Sequence, residues 1–172
     1  KELFEDELGY ENGMEYQMVA LQVVMAEQLD GDTLHHACGI DPFAREKAND
    51  GKHLQKQAEV AKKVLQWRWL IIDEISMVSA KLLAEVDMKL RAIVRRIGTM
   101  KDTDTGVDRA FGGINVLFAG DFWQLDPPSG TFLGNVPVDF MKRSRRFEAN
   151  ASAAHGQSIF WGRGEGAVQG LT

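Results

Sequence analysis

The chain has 172 residues, 44% hydrophobic and 26% charged, with a formal net charge of -5 and a pI of about 5.4. These values fit one globular domain able to build a core, and they argue against a nonspecific basic nucleic-acid coat while leaving room for a local basic groove. The single cysteine, Cys38, excludes an intramolecular disulfide and offers no zinc framework, and no apolar run approaches a membrane span, so the expectation is a soluble, intracellular protein.

In chain order, Glu2, Glu5, Asp6, Glu7 and Glu11 give the first residues the composition of a solvated helix end and loop. Residues 18–26 read as a strand or a short helix, because the apolar period there is ambiguous. Asp30-Gly31-Asp32 is a turn leading into Thr33-Leu34-His35-His36. A helix over 56–65, polar on most sides, feeds a strand over 67–72. Ser79 is a helix N-cap, and Leu82, Leu83, Val86, Leu90, Ile93, Val94 and Ile97 mark one apolar face of the helix that follows. Lys81, Glu85, Lys89, Arg91, Arg95 and Arg96 are expected on its outer face, Gly98 stops it, and a polar loop over 101–109 precedes Gly112-Gly113 and a second buried strand. Strand, helix, loop, strand is the order of a right-handed βαβ unit. Residues 149–170 are rich in Gly, Ala and Ser, 142–172 is expected as a poorly defined C-terminal segment, and both ends look cut from something longer.

The chemistry concentrates where two apolar runs stop. Leu70-Ile71-Ile72-Asp73-Glu74 and Val116-Leu117-Phe118-Ala119-Gly120-Asp121 each end in carboxylates, as a buried parallel strand does at the carboxyl edge of an α/β sheet. In phosphate-transfer sites of this kind the strand-end Asp holds Mg²⁺ and a neighbouring Glu polarises the attacking water. Asp73 is therefore the candidate metal ligand and Glu74 the candidate general base; the alternative is a strand cap with surface salt bridges. Asp121 is a second nucleotide-side carboxylate. Gln124, on the following loop, is the candidate phosphate sensor, since an amide bonds the terminal phosphate before hydrolysis and loses that bond afterwards; the alternative is an ordinary loop glutamine. Phe122 and Trp123 are packing residues or a base-stacking platform, packing being the commoner role, with Phe122 the candidate DNA contact. Pro127-Pro128 ends the loop stiffly. The basic run Lys142-Arg143-Ser144-Arg145-Arg146 is a solvated face or a phosphate contact.

These residues carry a resemblance. Asp73-Glu74-Ile75-Ser76-Met77-Val78, the amphipathic helix after it, and Phe111-Gly112-Gly113-Ile114 through Gly120-Asp121-Phe122-Trp123-Gln124-Leu125 resemble motifs II and III of the petite-integration-frequency (Pif-type) DNA helicases. Gly31-Asp32-Thr33-Leu34-His35-His36 with Gly39-Ile40 is similar to the family segment after motif Ia. Phe132-Leu133 and Ile159-Phe160-Trp161-Gly162 look like the wording of helicase-like proteins of rolling-circle transposons. The resemblance implies an α/β fold, the RecA-like parallel sheet of P-loop NTPases flanked by helices, with residues 1–172 forming an incomplete first motor domain. It implies an ATP-dependent, Mg²⁺-requiring helicase acting on single-stranded and duplex DNA, with roles in DNA repair, recombination and telomere maintenance. It also implies a nuclear or mitochondrial location in a eukaryote, and neither a membrane nor an obligate protein partner is expected. Thr33 and His35 would lie near the DNA path; the alternative for His35 is a ring packed on its own turn. A metal site of His35, His36 and Cys38 lacks a distant fourth partner.

The departures from the family pattern are specific. The phosphate-binding loop Gly-x-x-x-x-Gly-Lys-Ser/Thr is absent: Gly51-Lys52 precedes His53, Glu46 stands where the first Gly belongs, and the pair reads as a loop. Poor ATP affinity is expected of these residues alone, the simplest explanation being a sequence that starts after that loop. Gln22-Val23 replaces the Thr-Gly of motif Ia, and Asp126 stands where the family runs into prolines. A non-catalytic remnant that keeps the fold, and a P-loop ATPase working on protein or RNA, are the rival readings.

Overall fold

The protein, seen here as a computed structural model, is described over residues 1–41, 51–94, 109–134 and 147–161. It divides into two compact units: Lys1–Asp73 with Ile114–Ala119, and Glu74–Gly113 with Gly120–Thr172.

The first unit is α/β, as expected. Its sheet has strands β1 (Tyr16–Ala20), β2 (Asp32–Thr33), β3 (Trp69–Ile72) and β4 (Asn115–Phe118) in the order β2-β1-β3-β4, every pairing parallel. Helices α1 (Val23–Gln28), α2 (Leu34–Ala37) and α3 (Gly51–Val64) complete it. Leu70, Ile71 and Ile72 are buried, which is what an interior parallel strand requires on both faces. Beside them Phe4 stacks on Tyr16 at 5.0 Å and meets Trp69 edge-on at 5.6 Å. Phe4 comes from one π-helical turn, Leu3–Glu7, so the acidic N-terminal stretch carries one buried ring among its solvated carboxylates. The Tyr16 hydroxyl donates to Glu5 at 2.6 Å, and burial, with that carboxylate second, pushes the phenol above its ordinary value.

Four local expectations are corrected here. Residues 18–26 are two elements in succession, the end of β1 and then α1 after the extended Gln22, which explains the mixed period. Val23 and Val24 are exposed, so apolar composition there did not report burial. The strand expected over 67–72 starts at Trp69, because Trp67 instead closes α3, its N–H donating to the Val64 carbonyl at 3.1 Å. Gly51-Lys52 is no loop, since α3 begins at Gly51. Finally, β4 is not a buried strand: it ends the described sheet, pairs with β3 alone, and leaves Asn115 and Leu117 exposed.

The second unit holds a 3-10 turn (Ile75–Met77), α4 (Ala80–Val94), a second 3-10 turn (Ala110–Gly113), the loop 120–134 and α5 (Phe147–Trp161). Ser79 caps α4 as its sequence promised, its Oγ accepting the Leu82 N–H at 3.2 Å. Leu83, Val86, Leu90, Ile93 and Val94 are buried as the helical spacing required. Helix α5 lies so close to α4 that a Cβ on Gly156 would stand 1.7 Å from the Ala80 carbonyl oxygen; only glycine permits the approach. Ile97, Gly98, the loop residues 101–108 and the basic run Lys142–Arg146 fall outside the described residues. Among the described residues no helix is long and apolar enough to cross a membrane.

Candidate nucleotide and DNA site

In the first unit the ends of β3 and β4 lie level: Ile72 pairs with Phe118, and the Ala119 N–H donates to the Ile72 carbonyl at 2.9 Å. On the other side the Asp73 N–H donates to the Val19 carbonyl at 2.9 Å. Asp73 therefore stands, half-buried, at the carboxyl end of a strand paired on both edges, the position where open parallel sheets bind ligands.

Glu74, the first residue of the second unit, has a left-handed backbone with φ 53 and ψ 45. For a residue with a Cβ that conformation costs about 1–3 kcal/mol and persists only where the surrounding structure holds it. The turn that follows holds it, the Met77 N–H donating to the Glu74 carbonyl at 3.0 Å. Gly120 seals the arrangement within the same unit. Its φ is 147, and a Cβ there would lie 2.9 Å from the Ile75 nitrogen and 3.3 Å from the Glu74 Cα. The two motifs are thus in backbone contact at Glu74 and Gly120. Ser76 Oγ, in the turn after Glu74, is buried and has no hydrogen-bond partner among the described residues.

Beyond Gly120 the chain forms a tight turn on Asp121, whose Oδ1 accepts the Trp123 N–H at 2.9 Å and whose carbonyl accepts the Gln124 N–H at 3.1 Å. Asp121 and Gln124 are exposed. Phe122 packs edge-to-face on Phe132 at 5.4 Å and on Phe160 of α5 at 5.5 Å. Its neighbour Trp123 is 95% exposed. No cluster of three or more His, Cys, Asp or Glu suited to a metal occurs among the described residues. That arrangement is unlike an all-protein cage, but Mg²⁺ at a nucleotide site ordinarily takes one or two carboxylates and fills its shell with water and phosphate oxygens, and a single half-buried Asp73 fits that mode.

Thr33 and His35 belong to the first unit. Thr33 ends β2 and caps α2, its Oγ1 accepting the His36 N–H at 3.3 Å. His35 is half-exposed and, with Thr33, His36, Lys56 and Gln57, lines a cavity of ≈ 360 Å³. His36 is engaged elsewhere, its Nδ1 2.6 Å from Asp32 Oδ2, and Cys38 is buried.

One group escaped the sequence reading altogether. Asp87, wholly buried on α4, takes both Oδ atoms to Arg91 Nε at 2.9 and 2.8 Å, accepts the Phe111 N–H at 2.6 Å and lies 2.8 Å from His155 Nε2 of α5. Arg91 accordingly leaves the outer face expected for it: it sits one turn beyond Asp87 and folds back over it. Burial by itself pushes the Asp87 carboxyl up, but His155, Arg91 and the Phe111 amide together hold it below the ordinary carboxylate value. Phe111 is, like Glu74, a non-glycine residue with a left-handed backbone, so the buried carboxylate secures a strained turn. A signal was present, since Leu83, Asp87, Leu90 and Val94 share one helical face and an acid on an apolar face needs a buried partner.

Comparison with known proteins fits this geometry. The profile of the PIF1-like helicases matches residues 12–147. The chain belongs to the PIF1-like helicase family. It is 33% identical over 108 residues to the ATP-dependent DNA helicase Pif1 of Psychrobacter sp., covering 63% of this chain and 15% of that protein. With the ATP-dependent DNA helicase RRM3 of Saccharomyces cerevisiae it shares 38% identity over 105 residues, 59% of this chain and 13% of the relative. A solved Pif1 helicase from Bacteroides, in complex with ADP-AlF3 and single-stranded DNA, superimposes with a TM-score of 0.53 at 26% identity, over 86% of this chain and 29% of that one. The PIF1-like match thus includes Asp73, Glu74, Asp121 and Gln124, while the chain spans a small part of its relatives' length.

Proposed function

We propose that this chain supplies catalytic residues of an ATP-dependent DNA helicase that couples Mg-ATP hydrolysis to movement on single-stranded DNA and unwinding of duplex DNA. The observation that carries the reading is Glu74: a carboxylate held in a left-handed backbone directly after a strand-end aspartate, with Gly120 packed on its main chain. Asp73 holds Mg²⁺, which when bound neutralises charge on the phosphates. Glu74 accepts the proton of the attacking water. Asp121 stands on the nucleotide side and turns the loop, so that Gln124 follows the presence or loss of the terminal phosphate. Thr33 and His35 face the DNA, with Lys56 beside them in the same cavity as a cation for the backbone. On this reading the protein serves DNA repair, recombination and telomere maintenance, in the nucleus or mitochondrion of a eukaryotic host.

The test is ATP hydrolysis by the full-length protein with and without single-stranded DNA, comparing wild type with Glu74→Gln. General-base catalysis is worth about 10²–10⁴-fold, and a loss of that size in the variant, with DNA binding intact, is expected. Hydrolysis that survives the substitution would remove Glu74 from the mechanism, and a wild-type protein that neither hydrolyses ATP nor binds DNA would favour the remnant that keeps only the fold.

A further inference from the structure

Helix α5 grips the loop that carries Gln124 at several points. Gln157, wholly buried, donates from Nε2 to the Phe132 and Leu133 carbonyls at 3.3 Å each, and Trp161 Nε1 donates to the Leu133 carbonyl at 3.0 Å. The Ala80 N–H of α4 donates to the Thr131 carbonyl at 2.8 Å, so the exit of the loop is tied to both helices. Its entry is held by Gly120 against the backbone of Glu74 and Ile75. Between these holds Phe122 keeps 40% of its surface exposed, and edge-on contacts with Phe132 and with the buried Phe160 orient its ring. Gln124 follows in the turn that Asp121 closes, its N–H donating to the Asp121 carbonyl at 3.1 Å.

Gln157 is a costly choice for the core. Its Oε1 is buried without a hydrogen-bond partner among the described residues, and an amide paired at one end only is a poorer filler than leucine. What the amide supplies and leucine cannot is a donor for two carbonyls of irregular backbone. The seat for that donor is firm, because Gly156 lets α5 close on the Ala80 carbonyl, and His155 lies 2.8 Å from the buried Asp87. A hydrogen bond weakens steeply with misalignment, so a loop slightly out of place would lose an amide's contact to a phosphate while leaving the other nucleotide contacts intact.

We propose that Gln157 and Phe160 of α5 are positioning residues for the Gln124 loop, Gln157 by fixing the backbone at Phe132 and Leu133, Phe160 by orienting Phe122. This rests on the reading of Gln124 as the sensor of the terminal phosphate, and it gives Phe122 a packing role in place of a DNA contact.

The test uses the full-length protein with Mg²⁺ and calorimetric affinities for ADP and for a non-hydrolysable ATP analogue. The proteins are wild type, Q124A, Q157L, F160L and the double variants Q124A/Q157L and Q124A/F160L. The ratio of the two affinities reports the terminal phosphate. Q124A is expected to lower it about 10- to 150-fold, the range of one hydrogen bond to a charged group. Q157L and F160L are expected to lower it about 2- to 30-fold with ADP affinity unchanged, the range seen for residues that act through others. In the Q124A background either substitution should change the ratio less than about twofold, because the loop it places no longer carries the amide. A wild-type ratio in either single variant overturns that residue's role. So does an equal loss of ADP and analogue affinity, the mark of a merely structural contact, or an undiminished effect in the Q124A background. Should Q157L fail to fold, the F160L cycle decides. A wild type that binds neither nucleotide removes the helicase reading, and a Q124A that keeps the ratio removes the sensor; the positioning role falls with either. A discriminating wild type and an impaired Q124A beside indifferent Q157L and F160L overturn the positioning role alone.

Discussion

Glu74 and Asp87 lie in the same unit and are treated in opposite ways. Asp87 is wholly buried, and its oxygens are bonded to Arg91, His155 and the Phe111 amide. Glu74 is half-buried, sits in a left-handed backbone and is followed by a buried serine hydroxyl with no partner among the described residues. A carboxylate whose oxygens are taken by donors has no free acceptor site to offer a reacting water, whereas a half-buried one can be reached by it. The contrast separates an acid that holds the fold from an acid that costs the fold stability, and family membership alone would not have told them apart.

The largest stability effect is expected at Asp87. Asp87→Ala removes the charge from a buried pair and deprives Arg91, His155 and the Phe111 N–H of their common acceptor, so a loss of about 3–5 kcal/mol in urea unfolding is expected. A loss below about 1 kcal/mol would mean the pair is replaceable and would erase the contrast. The same carboxylate makes stability depend on pH. Its folded value lies below the unfolded one, so the unfolded chain binds the proton more readily; the contribution is complete above about pH 3.9 and is lost as pH falls through the folded value. Asp87→Asn should flatten that acid limb, and an unaltered slope would show that other carboxylates govern it. The smallest effect is at Glu74. Glycine adopts its conformation freely, so Glu74→Gly should be more stable than Glu74→Ala by about 1 kcal/mol, the reverse of the usual order, while both lose hydrolysis. If alanine is the more stable of the two, the backbone strain is not there.

The sequence by itself determined the elements whose signal is local. The apolar run of β3 ending in Asp73-Glu74, the Ser79 cap and the buried face of α4 were all legible, because burial on both faces of a strand or on one face of a helix leaves a periodic trace in composition. The α/β class followed from them, and the family from the resemblance of Asp73–Val78 and Phe111–Leu125 to its motifs. Residues 18–26 were not legible because a strand and a helix share that window, and β4 looked buried because an apolar run does not say whether a second strand covers it. The remaining features depend on where distant segments meet. Whether Phe122 or Trp123 is the packed ring is decided by Phe132 and Phe160, the inward turn of Arg91 by the buried Asp87, and the need for glycine at 120 by the backbone of Glu74 and Ile75. Asp87 and Arg91 are one helical turn apart and left a local signal, but the other partners lie farther off along the chain, and contact energies act through space, so only the tertiary structure could assign those.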